Sequence, residues 1–212
     1  MKKFWLFALM LGLVVLAACG GGSEEGSESE GTENQEEETT EEEETRSVTI
    51  EDANGEQTIE GTPKKVVVLE WTYAENLQAL GMEPVGVAGL DQYGDWVNVG
   101  IPFSEKVKDV GTRQEPNLEA ISRLNPDLII GVDFRHNAIK EDLESIAPTV
   151  MFAPYSEEAA QDQFQNMKDE FNTMAKIVDK EDKAEQVLSD MENTFKEQQA
   201  RLEEAGKDGM NY

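Results

Sequence analysis

The chain has 212 residues, one cysteine, one histidine and a formal net charge of −27 at pH 7. Twelve glutamates and no base fall between Glu24 and Glu44. With these and Lys2 and Lys3 set aside, 33 acidic residues face 16 basic ones from residue 46 onward, which excludes nucleic-acid binding because that depends on neutralising phosphates.

Lys2-Lys3 precede an apolar run from Phe4 to Ala18 that is too short for an ordinary membrane-spanning helix and has signal-peptide proportions. Leu16-Ala17-Ala18-Cys19 resembles a bacterial lipobox. That resemblance implies a leader over residues 1–18 and a lipid on Cys19 as the first mature residue. The alternative is an uncleaved anchor helix with an incidental cysteine, but Gly and Ser follow at once. Each buried CH₂ contributes about 0.8 kcal/mol, so two or more acyl chains would hold the protein at a membrane. The lone Cys19 also forbids an internal disulfide and any multi-cysteine metal site. Residues 19–45 form a Gly/Ser/Thr/Glu tract that cannot bury enough surface to offset its ordering entropy. As a flexible tether it spans about 28 Å r.m.s., and more if its glutamates repel one another. A second reading of this tract is an acidic metal-scavenging tail.

The 167 residues that follow are enough for one domain with a core. Val48 to Ile59 alternates around Asn54-Gly55, which predicts a hairpin covering an edge of a sheet. Val66 to Leu69 reads as a central parallel strand. A loop with Glu70, Trp71, Thr72 and Tyr73 comes next, then a helix carrying Ala74, Leu77 and Leu80. Pro84 to Ala88 is another strand, followed by a polar-aromatic loop with Asp91, Tyr93, Asp95 and Trp96, and Val107 to Val110 is a short strand. Pro116 and Asn117 open a helix with Leu118, Ile121 and Leu124, which Asn125-Pro126 stops. Asp127 to Gly131 reads as a strand buried on both faces, and Thr149 to Phe152 is the last strand visible. Phe164, Met167, Phe171, Met174 and Val178 share one face of a long helix. From about Asp182 a second helix turns Ala184, Val187, Leu188, Met191, Phe195 and Leu202 inward and ends near Gly206. Strand alternating with helix predicts an α/β fold with a parallel sheet in three layers.

In such sheets ligands sit outside the carboxyl ends of the strands. That edge receives Arg113, which follows Gly111, and Phe134-Arg135-His136, which follow the 127–131 strand. Trp71, Tyr73, Tyr93 and Trp96 lie in two loops at the same edge, with Tyr93 and Trp96 the more exposed pair. A guanidinium grips carboxylate or hydroxamate oxygens bidentately and stays charged when partly desolvated, and aromatic walls suit a bulky chelate. The plain alternatives are a surface pair of Arg113 with Glu115 or Asp109, His136 as a helix cap, and one or more of the aromatics plugging the core. No GxxxxGK[ST], GxSxG or GxGxxG run is present, and catalysis would rest on His136 alone. A bare Zn or Mn ion would want several histidines.

The order GTRQEPNLEAI, NPDLII, FRH and IAPTV resembles the N-terminal lobe of the iron–siderophore binding proteins of ABC importers, the class III receptors with a helical backbone between lobes. The resemblance runs from Val66 to about Leu202. It implies an extracytoplasmic, membrane-anchored, monomeric receptor that binds a ferric siderophore of hydroxamate or citrate-hydroxamate type, hands it to an ABC permease and performs no catalysis. It implies no resident metal, and no covalent group beyond the lipid on Cys19. By the same resemblance an arginine in the G-x-R-x-E-P-N-L context touches the ligand's iron-bound oxygens, which points to Arg113. Phe134 or Arg135 stands where hydroxamate receptors place an aromatic contact, and the FRH triplet looks more like receptors for citrate-based siderophores. Glu141, with Asp142 and Glu144 beside it, is nearest to the rim carboxylate that meets the permease; the alternative is a solvated helix face. The expected division is a lobe over 46–180, the backbone helix over 181–206, and the start of a second lobe at 207–212. Alternative ligands in the same fold are cobalamin, haem and ferric dicitrate. Rivals from other classes are an exported flavodoxin-like enzyme and a structural surface lipoprotein.

Overall fold

The computed structural model describes residues 46–97 and 99–206. The leader, Cys19, the tether and residues 207–212 lie outside the described residues.

The apolar runs form the centre of a five-stranded sheet because they have little that can face water, while the short edge strand at Lys108–Asp109 is charged and exposed. The strands are Val66–Val68 (β3), Gly86–Val87 (β4), Lys108–Asp109 (β5), Leu128–Val132 (β6) and Thr149–Phe152 (β7). Their order is β5-β4-β3-β6-β7, and every pairing is parallel. All residues of β3, β6 and β7 are buried, as a parallel sheet covered on both faces requires. Alternate residues serve different layers. Val66 and Val68 face one core with Leu77 and Met174, whereas Val67 and Leu69 face a second core with Ile121 and Leu143. The first layer holds Trp71–Ala79 (α1) and Gln163–Ile177 (α6); the second holds Leu118–Arg123 (α3) and Lys140–Glu144 (α5). This is the expected three-layer α/β arrangement.

The hairpin pairs Ser47–Asp52 (β1) with Gly55–Glu60 (β2), and its register places Asp52 opposite Gly55. The two-residue loop is therefore Ala53-Asn54, one step before the expected Asn54-Gly55. The reason lies in Asp52, whose carboxylate accepts from Asn54 N–H at 2.7 Å and from Met151 N–H at 2.9 Å. Ala53 N–H donates to Met151 O at 2.8 Å, so the hairpin closes the outer edge of β7 as predicted.

Two expected loops are helical. α1 begins at Trp71, and Leu90–Trp96 forms helix α2. Burial of Trp71, Tyr73 and Tyr93 overrides the loop-like composition of both stretches. The long helices also differ in detail from the sequence pattern. On α6, Phe171 and Met174 are buried while Phe164 is exposed. On Glu181–Glu204 (α7), Ala184 is buried and Val187 and Leu188 pack on the core, but Phe195 is 54% exposed and Leu202 is exposed as well. The inward face expected to reach Leu202 ends near Met191. Among the described residues, no helix is long and apolar enough to cross a membrane.

Candidate functional site

The strand order reverses at β3: β4 and β5 lie on one side of it and β6 and β7 on the other. A crevice opens at the carboxyl ends of strands where the order reverses, here between β3 and β6. The two residues after β3 lead to Glu70, and β6 runs directly into Asp133–His136 (α4).

Arg113 reaches this crevice through a loop pinched at its base. Gly111 bridges to Pro116, and Asn117 N–H donates to Val110 O at 2.7 Å. Gly111 has φ +92°, and a Cβ there would sit 2.7 Å from Asn117 N, so only glycine closes this loop. The guanidinium carbon of Arg113 lies 3.8 Å from the centre of the Trp71 ring, a cation–π stack. Trp71 is itself fixed, since its Nε1 donates to Ala88 O at 3.0 Å.

Arg135 approaches from α4. Its Nη1 donates to Glu70 Oε1 at 2.5 Å, and Arg113 Nη1 donates to Glu70 Oε2 at 3.2 Å. One carboxylate thus bridges two guanidiniums, each giving one N–H. Arginine carries five donors, and among the described residues Glu70 is the hydrogen-bond partner of both side chains, so further donors are left for anionic oxygens. Both arginine side chains keep some exposure, 29% and 22%, against 12% for Glu70. Burial pushes the Glu70 pKa up, while Arg135 and Arg113 pull it down.

His136 is fully buried. Its Nδ1 accepts from Val132 N–H at 3.0 Å, which puts the ring proton on Nε2, and Nε2 donates to Arg113 O at 2.8 Å. Burial, the largest cause, holds its pKa below the ordinary value. His136 is a strut between β6 and the Arg113 loop and not the ligand contact its sequence position suggested. Its second reading, as a cap of the next helix, fails as well: His136 stands at the N-cap of the 3-10 turn Asn137–Ile139, but its side chain makes no capping bond there.

The aromatics divide. Tyr73 is buried, packs 4.8 Å from Phe152 and donates to Glu170 Oε2 at 3.1 Å, so it belongs to the core and not to a ligand wall. Tyr93 is also buried, against Trp71 and Phe103, which corrects its expected exposure. Trp71 backs Arg113 and presents little surface of its own. Trp96 is 78% exposed at the end of α2, and no aromatic or cation–π contact among the described residues joins it to the arginines. Phe134 is 51% exposed, 5.0 Å from the Arg135 guanidinium and 5.1 Å from the ring of Tyr155.

Two members of this cluster escaped sequence reading. Tyr155 follows β7 by three residues, the same signal that marked Arg135. Glu70 was visible directly after a central strand, but its partners lie 43 and 65 residues away. Arg113 pairs with Glu70, whereas Asp109 is held by the backbone N–H groups of Leu90 and Gly111. Glu141 is exposed on α5, where its neighbour Glu144 pairs with Lys140.

Two concavities, of about 670 and 470 Å³, lie away from the arginines, and the first is lined by Glu51, Asp52, Glu158, Asp162, Asp169 and Glu170, with no Lys or Arg. That one would repel an anion. Among the described residues, no group of three or more His, Cys, Asp or Glu is placed to hold a metal ion.

A family model described as periplasmic binding protein matches residues 66–212. The chain is 40% identical over 156 residues to the Fe(3+)-citrate-binding protein YfmC of Bacillus subtilis (strain 168), covering 74% of this chain and 48% of that one. Among solved structures it resembles Fe3+-Desferal-bound siderophore binding protein FhuD from Vibrio cholerae, with TM-score 0.61, 38% identity, and coverage of 67% and 52%. It also resembles siderophore binding protein BauB, bound to a complex between two acinetobactin molecules and ferric iron, with TM-score 0.61, 29% identity, and coverage of 73% and 54%. The chain spans about half the length of the curated relatives it matches.

Proposed function

The chain belongs to the periplasmic binding protein family, and from that premise we propose that it supplies one wall of an extracytoplasmic receptor for a ferric siderophore, serving an ABC importer. The observation that carries this reading is the convergence of Arg113 and Arg135 on one carboxylate at the rim where the strand order reverses. A ferric chelate brings its own donors to the iron and shows anionic oxygens to the outside. A wall that captures it needs guanidinium forks and aromatic faces, not metal ligands. Phe134 and Tyr155 supply exposed faces beside Arg135. Citrate-type chelates suit two cations best, and the named function of YfmC agrees with that chemistry. The mechanism is capture and release without turnover.

Three further parts complete the proposal. Cys19 carries the lipid that keeps the receptor at the outer face of the membrane, on the 19–45 tether. Glu141, on the exposed side of α5, meets the permease. Residues 46–180 form the monomeric lobe, and α7 connects it to the rest of the receptor.

Trp71 lies against Arg113 and reports on it directly. Titrating the protein with ferric dicitrate and with a ferric hydroxamate should quench its tryptophan fluorescence, weakly if this wall acts alone. Arg113→Ala and Arg135→Ala should each weaken binding by about 1.5–3 kcal/mol, the worth of a hydrogen bond to a charged group. Binding of haem or cobalamin with no response to any ferric chelate would move the protein to a different ligand class. An affinity indifferent to both substitutions would remove the arginines from the site.

A further inference from the structure

We infer that Glu70 sets the charge preference of the site: by bridging Arg113 and Arg135 it offsets one of their two positive charges, and so tempers how strongly this wall favours a polyanionic chelate over an uncharged one. The inference rests on the receptor reading above and adds a specificity-determining residue to it.

Four observations support it. The carboxylate divides itself, Oε1 to Arg135 and Oε2 to Arg113, so it neutralises half of the charge of each. Glu70 is the N-cap residue of α1, yet its side chain makes no capping bond and the first turn of that helix holds no other acid. A carboxylate placed there would ordinarily satisfy the helix's free N–H groups, and this one serves the arginines instead. Its side chain is 12% exposed, so the charge acts through a medium that screens poorly. Of the neighbouring carboxylates, Asp109 is tied to the backbone at Leu90 and Gly111 and makes no bond to either arginine. Glu70 is also not itself a ligand group, because an acid repels the anions that the arginines attract. Its effect on binding is selection through the arginines.

The test is a comparison of ratios, in which contributions from other parts of the receptor cancel. Fluorescence quenching gives the affinity of the wild-type protein for ferric dicitrate, a polyanion, and for ferrichrome, an uncharged ferric trihydroxamate. Glu70→Gln keeps the size of the side chain and an acceptor oxygen but adds one positive charge to the rim. It should shift the affinity ratio toward ferric dicitrate by about tenfold or more. Glu70→Asp, which keeps the charge, should leave the ratio near the wild-type value even if both affinities fall. Arg135→Gln takes the rim to zero and should shift the ratio toward ferrichrome, so the inference stays testable if Glu70→Gln fails to fold. Equal changes for both chelates in Glu70→Gln would show a purely structural role and overturn the inference while leaving the receptor reading in place; no shift in Arg135→Gln would take that arginine out of the site and overturn both. A wild-type protein that binds neither chelate would overturn both.

Discussion

His136 has both ring nitrogens committed to backbone, Val132 on one side and Arg113 on the other, and its protonation therefore matters beyond its own charge. Its folded pKa is depressed, so the stability it contributes is whole above the ordinary value of 6.5 and is lost as pH falls through the folded pKa. A second ring proton would break the bond from Val132 N–H. Glu70 and Glu170 run in the opposite sense. Burial raises both, so they destabilise the fold at neutral pH, and that cost disappears as pH falls through their raised values. Thermal melts of wild type and His136→Gln at pH 7.5 and pH 5.5 separate these effects. The variant should be about 1–2 kcal/mol less stable at pH 7.5, and the gap should narrow at pH 5.5. A gap that is the same at both would remove His136 as the titrating strut. At this scale the sequence disclosed what strand ends disclose: Arg113 and Arg135 each follow a strand, and the rule for parallel sheets puts them at the rim. The bond of His136 to Arg113 O spans 23 residues and depends on how two loops dock, which no local pattern encodes.

The elements show the same division between local and tertiary causes. β3, β6 and β7 were legible because an unbroken run of Val, Ile and Leu fits little besides a doubly covered strand. α1 and α2 were not, because Trp, Tyr, Asp and Gly near a strand end describe a loop by composition. They become helices where Tyr73 and Tyr93 fold inward, a tertiary gain that outweighs weak propensity. Gly131 illustrates packing against a site. A Cβ there would lie 2.9 Å from His136 Nδ1 and 3.0 Å from Met151 Sδ, closer than side chains tolerate. Gly131→Ala should therefore destabilise the fold by about 1–3 kcal/mol through overpacking, and weaken chelate binding because the displaced imidazole carries the Arg113 loop. Ile121→Ala, in the core on the opposite face from α1, should cost about 2–4 kcal/mol and leave affinity unchanged where the protein remains folded. Denaturant titrations paired with quenching measure both quantities. Loss of binding in Ile121→Ala but not in Gly131→Ala would contradict this assignment of roles.

At the scale of the whole molecule, α7 is the clearest case of a pattern that was read correctly and overextended. Its 24 residues make a rod of about 36 Å, yet its partly or fully buried positions all lie in the N-terminal half, through Met191. The apolar spacing to Leu202 exists in the sequence, but among the described residues Phe195 meets only Phe164 among aromatic rings and stays exposed. Leu188→Ala should cost about 1–3 kcal/mol, and Phe195→Ala less than about 0.5 kcal/mol in this chain. Amide exchange should be slow before Met191 and fast after it, and uniform protection would contradict the picture. The sheet, by contrast, is finished on both flanks. On one side the hairpin engages Met151 through Asp52 and Ala53, and on the other β5 offers two exposed residues of opposite charge, Lys108 and Asp109. Among the described residues, this sheet offers a neighbouring copy one covered flank and one short, charged flank. Copies of the chain brought close together can therefore collide often without templating one another into aggregates.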